Sequence, residues 1–93
     1  MQNVLLYNLG KEALLSPTIL KEKGYRFFFL SREEDRVHVH VICSDGEAKF
    51  WLEPEIELAR NHNLSRLRLR EIEGIIEEHY NDFKSAWQKH GKS

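Results

Sequence analysis

Residues 37–53, VHVHVICSDGEAKFWLE, alternate in character along two runs that flank an Asp45-Gly46 pair. A period of two is the mark of a β-strand with two unlike faces. Asp-Gly is favoured in two-residue hairpin loops, where both central residues need positive φ. With that pair at the turn, Ser44 lies opposite Glu47, Ile42 opposite Lys49 and Val41 opposite Phe50. His40 then faces Trp51, Val39 faces Leu52 and His38 faces Glu53. Val37, Val39, Val41, Ala48, Phe50 and Leu52 share one face, fit to cover a core. His38, His40, Ile42, Lys49, Trp51 and Glu53 share the other, the kind of face that antiparallel sheets commonly leave to solvent or a partner.

Upstream, PTILKEKGYRFFFLS at 17–31 holds two runs rich in β-branched and aromatic residues around a Glu-Lys-Gly turn, which reads as a second hairpin. The charged run REEDR at 32–36 reads as a solvated connection. Residues 1–16 read as an N-terminal extension, a short helix or an ordered tail, ahead of a single α+β domain over 17–93. Downstream of Pro54, EIELARNHNL is a brief edge strand or turn.

From Ser65 the period changes. Leu69, Ile72, Ile76, Tyr80, Phe83 and Trp87 recur at three- and four-residue intervals, which predicts a helix to about His90. Ser65 suits its N-cap, with Leu64 and Leu69 placed to form a hydrophobic staple. Gly74 costs about 1 kcal/mol relative to alanine inside a helix and marks close packing or a bend. The expected fold is therefore α+β, a mostly antiparallel sheet of three to five strands with one long C-terminal helix packed on one face.

A length of 93 residues fits one domain with one core. Fourteen basic and fifteen acidic residues nearly cancel, so bulk charge points neither to nucleic acid nor away from it. Cys43 is the single cysteine, which excludes an internal disulfide and a multi-cysteine zinc site within one chain, and it reads as a packing residue. Apolar runs fall far short of the roughly 20 residues that span a bilayer. A cytoplasmic protein without membrane contact is the expectation, and no motif calls for a cofactor.

Three constellations carry chemistry. His38 and His40, at i and i+2 on a strand, present two imidazoles to one side, and Glu53 or a folded-back His62 would add a metal ligand. The same face, with His38 or His40 as base and Lys49 or Arg60 against developing charge, would suit a small metal-independent ribonuclease. For both, the plain alternative is a polar sheet face alternating with core valines. The third constellation is Arg60, His62, Arg66, Arg68 and Arg70 around the predicted helix start. Arginines in the opening turns oppose the helix macrodipole, which favours an anion there, either a ligand or acidic residues of the same helix such as Glu73.

Taken together, GYRFFFLS at 24–31, HVHV at 38–41, DGEAKFWLEP at 45–54, LARNHNLS at 58–65 and LREIEGIIEEH at 69–79 resemble the small prokaryotic proteins of domain-of-unknown-function family 4160. The resemblance covers about Pro17 to His90, and residues 1–16 depart from it. Members tend to carry Pro-Pro before the His-Val-His-Val run, where this chain has Asp35-Arg36-Val37. The resemblance implies a gene often set beside a second short one, of family 2442, in a toxin-antitoxin-like arrangement, and hence a small protein partner. The expected function is a binding module whose contact surface comprises Trp51, His38, His40, Lys49 and the Arg60–Arg70 cluster. The alternative is a ribonuclease or nucleic-acid-binding protein using the histidine face. A homodimer through the open sheet face is a further expectation, since an apolar residue such as Trp51 is costly to leave wet.

Overall fold

A computed structural model describes residues 16–30 and 34–91. The expected extension over residues 1–16 therefore lies, apart from Ser16, outside the described residues. Five antiparallel strands, β1 (Thr18–Glu22), β2 (Tyr25–Phe28), β3 (His38–Ile42), β4 (Glu47–Trp51) and β5 (Glu57–His62), form one sheet in which spatial order follows chain order. Helices α1 (Arg66–Glu78) and α2 (Tyr80–Ala86) follow, and a π-helical turn over Trp87–Gly91 closes the described chain.

The division of β3 and β4 into two faces stands, but the register differs from the expected one. His38 pairs with Trp51, Val39 with Phe50, His40 with Lys49, Val41 with Ala48 and Ile42 with Glu47. Each partner has moved by two residues, so every side chain keeps its face. Gly46 is not the turn centre: the Cys43 amide donates to the Gly46 carbonyl at 3.0 Å, with Ser44 and Asp45 between them. Gly46 lacks a side chain for another reason. A Cβ there would overlap the carbonyl oxygen of His62 and come within 3.1 Å of the Asn63 Cβ. The positive-φ pair is Lys23-Gly24, at φ 53° and 83°, in the β1–β2 hairpin. That geometry fits a primed turn whose twist matches the strands.

The core lies between one sheet face and the helices. Phe27, Val39, Val41, Phe50 and Leu52 meet Ile72, Ile75, Ile76, Phe83 and Trp87, and Cys43 and Leu69 pack at the margin. Ser65 caps α1 as expected, its Oγ accepting from the Arg68 amide at 3.1 Å. Gly74 is not a close-packing site, because a Cβ there would meet nothing within 4 Å.

The helical segment is not one long helix. It breaks at His79, whose φ of −111° and ψ of 23° leave the α region. Trp87 lies fifteen positions after Ile72, over which an unbroken helix drifts by roughly 60° from its starting face. Phe83 reaches Phe27, ring centroids 5.4 Å apart, and Trp87 reaches Phe29 edge-on at 5.3 Å. The Tyr80 hydroxyl holds the junction down by donating to the Leu52 carbonyl.

Candidate functional site

The face carrying the two histidines is not open. His38 is 0% exposed, His40 1% and Lys49 7%. Phe28 and Leu30 are buried there with Ile42 against them, so the sheet is packed on both sides. His38 Nδ1 lies 2.6 Å from the Arg36 carbonyl, which can only accept, so this nitrogen carries the hydrogen. The His38 ring meets Trp87 at 5.0 Å, His40 at 5.2 Å and Trp51 at 5.7 Å, all edge-on. His40 stacks on Phe28 at 5.7 Å. Imidazoles enclosed by aromatic rings act as amphipathic packing groups.

Glu53 is not opposite His38 and pairs instead with Lys84 Nζ at 2.7 Å. Among the described residues, the expected ligand set of His38, His40 and Glu53 is not brought together. Lys49 faces Glu34 in an ion pair that holds the Glu34 carboxyl below its ordinary value. Trp51 is half-buried between two cations, Arg36 at 4.3 Å and Lys49 at 4.6 Å from its ring centroid. These groups are engaged within the fold.

Glu47 sits beside them, opposite His62 on β5, and is 9% exposed. Its Oε1 is buried with no hydrogen-bond partner among the described residues. Burial pushes the carboxyl above its ordinary 4.5, against the opposing pull of His62 and Arg60. An acid raised in this way binds its proton more tightly when folded. Its contribution to stability is therefore greatest at low pH and declines as pH rises from 4.5 through the folded value. Glu47→Gln should raise stability at neutral pH by roughly 1 kcal/mol. It should also flatten the urea-unfolding profile above pH 4.5, and an unchanged profile would show that the buried charge carries no penalty.

The arginine cluster divides. Arg68 pairs with Asp45 at 2.9 Å and donates to the Tyr25 hydroxyl at 3.3 Å, while that hydroxyl donates to Glu71 at 2.7 Å. Asp45 thus supplies an anion near a helix start whose first turn has no acidic residue. Asn61 fixes the link from β5 to α1 by donating to the Leu64 carbonyl at 3.0 Å and accepting from the Leu64 amide at 3.1 Å. Asn63, at φ 70°, turns the chain and donates to the Asp45 carbonyl at 2.9 Å.

Arg66 and Arg70 lie elsewhere. With Phe50, Leu58, Leu69 and Glu73 they line a shallow groove between β5 and α1. Beside it, β5 is an edge strand, with Arg60 and His62 exposed along it. Leu58 is 42% exposed and Leu67 74%, the large exposed apolar residues of the described chain. Sequence reasoning singled out the cations but missed Leu58 and Leu67. Leu67 was legible as the leucine off the helical stripe.

A second cluster went unread. Glu22 at the end of β1, Glu78 at the end of α1 and His79 at the helix break bring one ligand-capable atom each within 4.8 Å of one another. Among the described residues, no helix is long and apolar enough to cross a membrane.

A family model described as a domain of unknown function (DUF4160) matches residues 24–88. No curated protein and no solved structure matches the chain.

Proposed function

Since the chain belongs to the DUF4160 family, a domain of unknown function, we propose from its geometry that it is a binding module for a small acidic protein, the two forming a regulatory or toxin-antitoxin-like gene pair. The observation that supports this reading is the groove between β5 and α1, where exposed Leu58 and two arginines flank an edge strand. An edge strand offers backbone N–H and C=O groups to an incoming strand, and neighbouring side chains set its specificity. Leu58 and Leu69 would take apolar residues of the partner. Arg66, Arg70 and Arg60 would face its carboxylates, Arg being suited to two-point recognition of such groups.

Trp51, His38, His40 and Lys49, expected in the contact surface from sequence, have a smaller part in this reading because they are engaged within the fold. The ribonuclease reading has less support for the same reason: a general base must come within hydrogen-bond reach of its substrate, and both histidines are buried.

The partner reading is tested by co-expressing the chain with the product of its neighbouring gene and titrating the purified pair. Reversing two cations with Arg66→Glu and Arg70→Glu should weaken the complex by about a hundredfold or more. Failure to co-purify, or unaltered affinity in the double variant, would reject this surface. Binding of RNA in place of the protein, lost in the same variant, would move the site to another ligand class.

A further inference from the structure

We propose that Glu22, Glu78 and His79 form a surface site for a divalent transition-metal ion of the Zn2+ kind. His79 Nε2 lies 3.1 Å from Glu22 Oε1, across a separation of 57 residues in the chain. Glu78 brings a second carboxylate to the same point, with all three ligand-capable atoms within 4.8 Å of one another. Ligands bound to zinc at about 2.0–2.2 Å lie roughly 3–3.5 Å from each other, so small side-chain rotations close the set.

Two features separate this cluster from a chance meeting of surface charges. Neighbouring residues on an unbroken helix diverge. At His79 the backbone leaves the α region, and Glu78 and His79 converge. The second feature is the other ring nitrogen. Nε2 carries the hydrogen that it donates to Glu22 Oε1, and a metal ion would take the place of that hydrogen, leaving the ring's hydrogen on Nδ1, on the side of Asp82 Oδ2 3.8 Å away. Carboxylates in this outer position commonly orient metal-binding histidines.

One imidazole with two carboxylates suits Zn2+ better than Mg2+ or Ca2+, which take oxygen ligands. Glu78 is exposed, which leaves a fourth position open to water or to a donor from another molecule. The ion would tie the edge strand β1 to the junction between α1 and α2, two parts that are far apart in the chain. Binding to the folded state alone would raise the unfolding temperature.

The test is calorimetric titration of ZnCl2 into the full chain, with nitrogen-15 spectra of the imidazoles recorded alongside. We expect one equivalent bound, with the main spectral change at His79 Nε2. Glu22→Gln and His79→Gln should each lower affinity at least tenfold, and Asp82→Asn should lower it by about tenfold by removing the carboxylate beside the Nδ1 hydrogen of the metal-bound ring. The unfolding temperature should rise with Zn2+ in the parent chain and stay level in Glu22→Gln and His79→Gln. Absence of one-to-one binding below about 100 μM, a free energy near 5.5 kcal/mol, would overturn the proposal. So would spectral changes confined to the other histidines of the unaltered chain, a readout that does not depend on any variant folding.

Discussion

Gly46→Ala should destabilise the protein by about 3 kcal/mol, the upper end of the usual cost of forcing an added methyl into filled space. The new Cβ would run into the carbonyl oxygen of His62 and crowd the Asn63 Cβ. A flexible side chain in its way would swing aside, but these obstacles belong to the end of β5 and the turn into α1. That turn is itself held by the bonds of Asn61 to Leu64 and of Asn63 to Asp45. Relief therefore has to come from the β4–β5 pairing, starting where Glu47 faces His62. Gly74→Ala supplies the control, because a Cβ there enters open space and a helix interior favours alanine by about 1 kcal/mol. Urea midpoints of the two variants should move in opposite directions. A Gly46→Ala chain as stable as the parent would show that the close approach between β4 and β5 is not a constraint.

Trp87→Ala should cost about 3–5 kcal/mol, the usual range for truncating a large buried aromatic residue. Trp87 is 3% exposed and stands where two groups of rings join. Phe29 meets it on the core side, and His38 reaches it from the opposite face of the sheet. Its loss would open a void at that junction and leave the His38 ring without one wall. Two measurements check this: the denaturation midpoint, and the ring resonances of His38, which should broaden or shift while those of exposed His62 stay put. A loss below about 1 kcal/mol would mean that the π-helical turn is peripheral to the fold.

Much of this architecture was legible in the sequence. The two faces of the central hairpin follow from a period of two, and a register error of two residues preserves that assignment. Its turn was misread because an Asp-Gly pair has two physical causes that look alike on paper. Glycine serves positive φ, as at Gly24, or close approach of another backbone, as at Gly46, and only the second depends on a strand distant in the chain. The closed histidine face left a trace that was not used. A run such as RFFFL, apolar on successive residues, marks a strand buried on both sides.

The helix break left no such trace. Neither glycine nor proline stands at 77–82, and the junction is held by Tyr80 on Leu52 and His79 on Glu22, contacts that exist only once the sheet is in place. For the candidate site, the basic cluster was visible as a group, but its division was not. Arg68 belongs to the structure because Asp45 and Tyr25 lie across from it, while Arg66 and Arg70, two positions to either side, line the groove.

The order of strands in the sheet bears on how the chain folds. Each strand pairs with its neighbour in sequence, so the sheet can zip hairpin by hairpin, and each closure orders only a short loop. Topologies rich in such local contacts fold quickly for their size. The β1–β2 hairpin has the positive-φ pair Lys23-Gly24 at its turn, and β1 and β5 are the edge strands of the described sheet. A partner strand docking on β5 would pair with it as β5 pairs with β4, so recognition would extend the same ladder onto a second chain.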